Sequence, residues 1–340
     1  MHTSDFSYQL PRELIAQRPL RPRDSSRLLV FNREKNCTDH HTFHEIVKFL
    51  SPGDVLVLNE TKVMPARLHA KKIPTGGAVE LLLLERTGEC IWEVIVGGSG
   101  VKPGLKLQVV GGPEVLVLED AGKTKRIVQF TEPISALLNE VGEMPLPPYI
   151  QTPLEDADEY QTVYAKKPGS AAAPTAGLHF TKRLLAEIHE MGVQIAKITL
   201  HVGLDTFAPV TANSTLDHQI HQEWCHVSDE TAELINQAST LGKRVFAVGT
   251  TSVRTLETAA RGAPSDKVIK PFDGYTSLYI LPGYSFSIVD AIITNFHLPQ
   301  STLLMMISAF AGRERLLKLY QTAIDLKYRF YSFGDAMLIL

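Results

Sequence analysis

Cysteine is scarce: Cys37, Cys90 and Cys225 are the only three in 340 residues. They are odd in number and far apart, so neither a disulfide framework nor a paired-cysteine zinc site is indicated, and a reducing cytoplasm fits. No apolar run reaches the length of a membrane span. The opening residues Met1-His2-Thr3-Ser4-Asp5 lack the basic-then-apolar order of a secretory leader. There is no Gly-x-Gly-x-x-Gly loop and no Gly-Lys-Ser/Thr phosphate loop. Positive charge is not in excess either. Lys and Arg number 34 against 37 Asp and Glu, a formal net charge of −3, so no global basic field marks a nucleic-acid binder. What is present is 44% hydrophobic and 21% charged residues, the mixture of a globular protein. The length exceeds one ordinary core and implies two domains.

Continuous apolar runs at Leu28–Phe31 and Val55–Leu58 read as buried strands, with a short helix from His44 to Leu50 between them. From Arg67 to Phe130 the texture becomes all-β. Strand-like runs at Val79–Leu84, Ile91–Val96, Lys106–Val110, Val115–Leu118 and Arg126–Phe130 are separated by Gly- and Pro-rich turns, which argues a small barrel. After the rigid stretch Pro145–Tyr149 the pattern is α/β. Helices are expected at Lys182–Met191, Asp229–Thr240, Ser252–Arg261, Ser301–Ala309 and Arg315–Leu326. Strands are expected at Val193–Leu200, Val245–Val248, Tyr275–Leu281, Ile288–Thr294 and Met337–Leu340. The expected fold is therefore a layered α/β domain with an inserted small all-β barrel domain: residues 1–66 and 149–340 form the discontinuous α/β catalytic domain, and 67–148 the insert.

The loop Gly169–Thr181 is dense in small residues around Thr175 and His179 and feeds a helix that Thr181 can cap. Such a loop lets a ligand approach backbone closely, and a helix N-terminus collects anionic or polar groups. Four apolar strands end in polar residues, at Asn59, at His201, at Thr250 in Gly249-Thr250-Thr251-Ser252-Val253-Arg254, and at Asn295 in Asn295-Phe296-His297. Strand ends of this kind line the ligand crevice of α/β sheets. His218, His221, Glu223 and His226 have the residue types of a zinc site. With no helix-length apolar pattern and no cysteine pair beside them, a polar surface or substrate loop is the better reading, and no metal site is assigned. The adjacent Trp224 could stack on a base or fill a corner. Basic residues cluster at Arg12–Arg27, at Lys62/Arg67/Lys71/Lys72, at Lys123/Lys125/Arg126 and at Lys166/Lys167. They are either a solvated face or, if they converge, a phosphate track.

Several strings together resemble the S-adenosylmethionine:tRNA ribosyltransferase-isomerase family, which makes epoxyqueuosine in tRNA. They include Arg23-Asp24-Ser25-Ser26-Arg27-Leu28, Gly53–Asn59, Met64-Pro65-Ala66-Arg67-Leu68, Pro145–Ile150 and Tyr160–Ala165. Ala172–Thr181, Ala247–Glu257, Pro282-Gly283-Tyr284, Asp290–Pro299 and Gly334–Met337 extend the match over essentially the whole chain. Ala171, Glu60 and Asp205 depart from the commoner Val, Asp and Gly. The resemblance implies the α/β fold with a barrel insert. It also implies S-adenosylmethionine as ribosyl donor and co-substrate, with no tightly bound cofactor, and 7-aminomethyl-7-deazaguanine at the tRNA wobble position as acceptor. Adenine and methionine are the leaving products.

In that chemistry the sulfonium acidifies the ribose 5′-carbon, a base removes a proton there, and adenine leaves with help from an acid or hydrogen-bond donors. His179, His201 and His297 are the candidate acid–base groups. Asn59, Thr175, Thr250, Thr251 and Asn295 are candidates to position ribose, adenine or methionine. Asp24, Arg27, Arg67 and Arg254, all within matching strings, complete the expected substrate-binding set. Partners are the anticodon loop of tRNA and S-adenosylmethionine, with no membrane, and the protein is expected to be a cytoplasmic monomer. A non-enzymatic RNA binder would need aromatics among the basic residues of the insert, which offers Trp92 and Phe130 and few others. A transferase that does not use RNA would leave the basic clusters unexplained.

Overall fold

The computed structural model describes residues 1–203 and 210–340; the turn around Asp205 lies outside the described residues. In chain order the first strands are β1 (Arg27–Asn32), β2 (Cys37–Thr42), β3 (Val55–Asn59) and β4 (Thr61–Val63). Then come β5 (Arg67–Ile73), β6 (Ala78–Arg86), β7 (Ile91–Gly97), β8 (Lys106–Val109), β9 (Glu114–Asp120) and β10 (Lys125–Phe130). After α1 (Leu138–Val141), β11 (Gly142–Glu143) and β12 (Lys167–Ser170), the chain alternates. It runs through α2 (Lys182–Glu190), β13 (Gln194–Leu200), β14 (Glu223–Val227), α3 (Asp229–Thr240), β15 (Val245–Val248) and α4 (Thr250–Ala260). It finishes with β16 (Phe272–Thr276), β17 (Ala291–Asn295), α5 (Thr302–Ala311), α6 (Arg313–Asp325) and β18 (Ala336–Ile339).

Two compact units result. One comprises Met1–Lys62, Pro147–Lys167 and Ala173–Leu340; the other Val63–Leu146 and Pro168–Ala172. The first is built on a nine-stranded sheet of order β16-β14-β13-β3-β15-β17-β18-β1-β2. Its centre is parallel: β13 pairs β3, β3 pairs β15, and β15 pairs β17, all in the same direction. The flanks are mixed, with β17–β18 antiparallel and β1–β18 parallel. Val55–Asn59 and Ala291–Asn295 are buried at every position, as expected of parallel strands covered on both faces. Leu184 and Ile188 of α2 pack with Leu56, Leu58, Phe246 and Ile293. A nine-residue helix is marginal on propensity alone. Burying two such side chains, at about 1.5–3 kcal/mol each, holds it in place. Thr181 Oγ1 accepts the Leu184 N–H at 3.1 Å and Gly192 follows the last turn with φ +83°.

The second unit is a closed antiparallel barrel. Six strands run β5-β6-β7-β10-β9-β8, and β5 pairs β8 to close the ring. Alternate side chains, among them Leu68, Leu81, Val94, Val117 and Val128, fill its interior, the period-2 pattern of a small barrel.

Three sequence expectations need correction. The strand expected at Tyr275–Leu281 is displaced to Phe272–Thr276, paired with β14. Past Thr276 the chain leaves the ladder, and its Oγ1 accepts the Leu278 N–H at 3.2 Å, a side chain competing with sheet pairing. The strand expected from Ile288 begins at Ala291, because the N–H groups of Ser287, Ile288 and Val289 are donated to the buried Glu257 carboxylate. The segment read as a polar loop around Glu223 is the strand β14. Its polar residues Glu223 and Trp224 disguise an alternation in which Glu223, Cys225 and Val227 point inward.

Candidate active site

Because β13, β3, β15 and β17 run parallel as neighbours, their C-terminal ends share one edge. The loop after β12 reaches this edge as a tight 3-10 turn, Thr175–His179. Only glycine fits at Gly177: an added Cβ would lie 2.0 Å from Tyr164 Oη. Gly249, with φ +84°, turns the chain from β15 into α4 and passes close to Ala176. α4 starts without a side-chain cap, which leaves its first-turn N–H groups for other acceptors.

A concave site forms there. Thr175, Thr250, Thr251, Asn295 and His297 line it; Ala173, Pro174, Ala176 and Gly249 form its small walls. Tyr149, Thr294, Tyr331 and Ser332 also line it and were not among the expected site residues. Tyr149 falls within one matching string, Pro145–Ile150, whose stiffness alone suggested a linker. Tyr331 follows no motif. Its signal is conformational, a non-glycine residue at φ +69°, and such positions cluster at functional sites. No sequence pattern announces it.

A hydrogen-bond chain fixes the floor. Thr175 Oγ1 donates to Asn295 Oδ1 at 2.9 Å; Asn295 Nδ2 donates to His179 Nε2 at 3.2 Å and to the Tyr331 carbonyl at 3.3 Å. Nε2 of His179 therefore accepts, so Nδ1 carries the proton and donates it to Ser26 Oγ at 2.7 Å. The ring lies against Phe43, centroids 5.0 Å apart. Burial foremost, helped by the charges of Arg329 and Arg23, pushes the His179 pKa down to about 3. This histidine stands behind Asn295, and both of its ring nitrogens are engaged.

His297 is placed differently. Its Nε2 meets Thr294 Oγ1 at 2.7 Å, its backbone N–H donates to Tyr320 Oη at 2.8 Å, and its carbonyl accepts from the Tyr8 hydroxyl. Nδ1 has no hydrogen-bond partner among the described residues. Burial pushes this pKa down to about 3 as well, so both histidines are unprotonated at neutral pH.

The other expected residues do not line the concavity. Asn59 is fully buried as a clamp. Its amide donates to the Leu200 carbonyl and to Thr251 Oγ1, and Oδ1 accepts the Leu200 and Thr61 N–H groups. His201 meets Thr61 Oγ1 at 2.8 Å and stacks on Trp224, centroids 5.0 Å apart, and partial burial lowers its pKa. Arg254 is buried and ion-paired with Glu223, its remaining donors on the Leu278 and Thr276 carbonyls. Burial opposes ionisation of Glu223, but the hydrogen bond from His221 and the charge of Arg254 outweigh it and hold the carboxyl below its usual range. Asp24 accepts from Thr181 Oγ1 and Arg183. Arg27 covers the Tyr328 ring at 3.6 Å and donates to the Leu326 carbonyl. Arg67 is on β5 of the barrel unit, 3.7 Å from Glu80. Among the described residues no group of three or more His, Cys, Asp or Glu side chains is placed to hold a metal ion, and no helix is long and apolar enough to cross a membrane.

The chain has relatives over its full length. The S-adenosylmethionine:tRNA ribosyltransferase-isomerase of Carboxydothermus hydrogenoformans is 50% identical, with 100% of both chains covered. That of Desulforamulus reducens is 47% identical with the same coverage. The crystal structure of S-adenosylmethionine tRNA ribosyltransferase from Thermotoga maritima superposes with a TM-score of 0.58 at 39% identity, covering 99% of this chain and 100% of that one. The family described as queuosine biosynthesis protein matches residues 3–339, and this chain belongs to it.

Proposed function

We infer that the protein transfers and isomerises the ribosyl moiety of S-adenosylmethionine onto 7-aminomethyl-7-deazaguanine at the wobble position of tRNA, giving epoxyqueuosine-tRNA, adenine and methionine. The observation that carries this reading is the concave site at the carboxyl edge of four parallel strands. It is lined by hydroxyl, amide and neutral imidazole groups, in a chain whose full-length relatives are named S-adenosylmethionine:tRNA ribosyltransferase-isomerases.

The chemistry divides among the residues by position. The donor's sulfonium acidifies its 5′-carbon, and His297 is the base at that carbon. It lines the site, is unprotonated, and has Nδ1 uncommitted while Thr294 holds Nε2. His179 orients the Asn295 amide, which in turn orients Thr175. Thr175, Thr250, Thr251 and Asn295 bind the ribose and methionine hydroxyl, amine and carboxylate groups, and the uncapped first turn of α4 suits the carboxylate. Asn59, Asp24, Arg27 and Arg254 act one step back, fixing the strand ends and loops that present these groups. The tRNA anticodon loop offers unstacked bases, which proteins recognise by stacking. The column His201–Trp224–His226, with Trp224–His226 centroids 6.0 Å apart and planes 5° from parallel, is the platform for them. The protein works on tRNA in the cytoplasm as a monomer and holds no cofactor tightly; S-adenosylmethionine enters as a co-substrate and is consumed, leaving as adenine and methionine.

The test uses precursor tRNA and S-adenosylmethionine labelled separately in the ribose and in the methyl group. The expected result is release of adenine and methionine with ribose label entering tRNA. Methyl label in tRNA overturns the reading.

A further inference from the structure

We propose that Tyr149 and Tyr331 form the corner that holds the sulfonium of S-adenosylmethionine, by contact of the cation with their ring faces. The proposal rests on the transferase reading above and adds the residues that recognise the donor's positive charge.

Both residues line the concave site. They arrive from distant parts of the chain, Tyr149 from the proline-rich stretch before β12 and Tyr331 from the turn before β18. Their centroids are 4.7 Å apart with planes inclined at 54°, which gives two differently oriented faces around one point. Each ring is held. Tyr149 Oη shares a 2.7 Å hydrogen bond with Ser332 Oγ. Tyr331 is pinned through its backbone, whose N–H donates to the Phe296 carbonyl and whose carbonyl accepts from Asn295 Nδ2. It adopts φ +69°, a conformation that non-glycine residues keep only where the surroundings impose it. The imposed turn sets the ring beside Tyr149.

The surroundings favour this means of recognition. Among the described residues that line the site there is no Asp, Glu, Lys or Arg. His297 is unprotonated there, and burial raises the Tyr149 pKa and so keeps its phenol neutral. A sulfonium in such a place loses water and needs an electron-rich partner. An aromatic face supplies one, because the ring quadrupole attracts a cation. The Tyr331–Asn295 hydrogen bond also ties this corner to the Thr175–Asn295–His179 chain, so the charge and the ribose are positioned by one connected set of bonds.

The experiment is calorimetric titration with S-adenosylmethionine and with S-adenosylhomocysteine, the uncharged thioether of nearly the same shape. The proteins are the wild type, Tyr149→Leu, Tyr331→Leu, and the corresponding phenylalanine variants. The wild type should prefer the sulfonium. Each leucine variant should lose about 2- to 30-fold of that preference while keeping its affinity for the thioether, and each phenylalanine variant should keep the preference. Equal weakening of both ligands in the leucine variants overturns the proposal, since the rings would then be packing alone. So does loss of preference in the phenylalanine variants, since the hydroxyls would then carry it. The two positions are independent, so a variant that does not fold leaves the other to decide. If the wild type binds both ligands without preference, this proposal fails and the transferase reading stands on the labelling result. If it binds neither, with or without tRNA, both fail.

Discussion

Burial drives the pKa of both His179 and His297 down to about 3, but their partners separate their tasks. His179 spends Nδ1 on Ser26 and Nε2 on Asn295; His297 lines the site and has only Nε2 engaged, by Thr294. His297→Ala should therefore slow single-turnover adenine release by about 100- to 10,000-fold with a modest shift in melting temperature. His179→Ala should lower the melting temperature more, because it leaves a buried amide and hydroxyl unpartnered. Near-normal turnover in folded His297→Ala would move the base elsewhere. The same burial sets a pH dependence. The folded pKa values lie below the ordinary value of 6.5, so on acidification the unfolded chain takes up protons first. The stabilisation is whole above pH 6.5 and is lost as pH falls towards 3. The wild-type melting temperature should fall over that interval, and less steeply in His179→Asn. The type of residue needed was legible in the sequence, since Thr, Asn and His stand after apolar strands. Which histidine faces the site was not, because that depends on hydrogen bonds across more than a hundred residues of chain. Tyr331 was invisible for a related reason: a backbone conformation leaves no mark in composition.

Elements were legible wherever an apolar run or a cap announces them. Ser228 and Ser301 cap α3 and α5 as their positions suggest, and Val55–Leu58 is the central strand it reads as. Two of the failures, at β17 and β14, share one cause, in that tertiary partners recruit or withdraw groups that local pattern assigns otherwise. Glu257 takes three N–H groups from the chain before β17, and β5 hides its barrel-facing Leu68 and Ala70 between basic residues. β14 was read as loop because its inward Glu223 is paired with Arg254 and His221. Once β14 is a strand, Trp224 and His226 fall two apart on one face, beside His201 at the end of β13. That register, not the residues singly, makes the stacking column. Stacking on an aromatic side chain is worth about 1–3 kcal/mol per base. Trp224→Ala should thus weaken tRNA binding by roughly 5- to 150-fold, measured by filter binding, with affinity for S-adenosylmethionine unchanged. Equal tRNA affinity in the variant would remove the column from the interface.

At the scale of the whole molecule, the net charge of −3 requires that tRNA be held by local groups, and the structure ties up part of the clusters the sequence offers. Arg18 and Arg21 pair with Glu155 and Glu159, and Arg183 pairs with Asp24. In the barrel unit Lys125 pairs with Glu93 and Arg126 with Asp120. A cation already matched by a carboxylate has less left for a phosphate, so Arg18 and Arg21, though exposed, are partly committed within the chain. Sequence could not reveal this, because Glu155 and Glu159 lie more than a hundred residues away. Lys62, Lys166 and Lys167 are different. All three are exposed and have no ion pair among the described residues. Their backbones are neighbours, since the Lys166 and Lys167 N–H groups both reach the Glu60 carbonyl, at 2.8 and 3.1 Å. Phosphate contacts release counterions, and each contributes about 0.7–0.9 to the slope of log affinity against log salt. Replacing all three lysines by Gln should therefore weaken tRNA binding and flatten that slope by about 2 to 3, while donor binding is untouched. Weaker binding with the slope unchanged would mean that the lysines act through local structure and that the phosphates are held elsewhere.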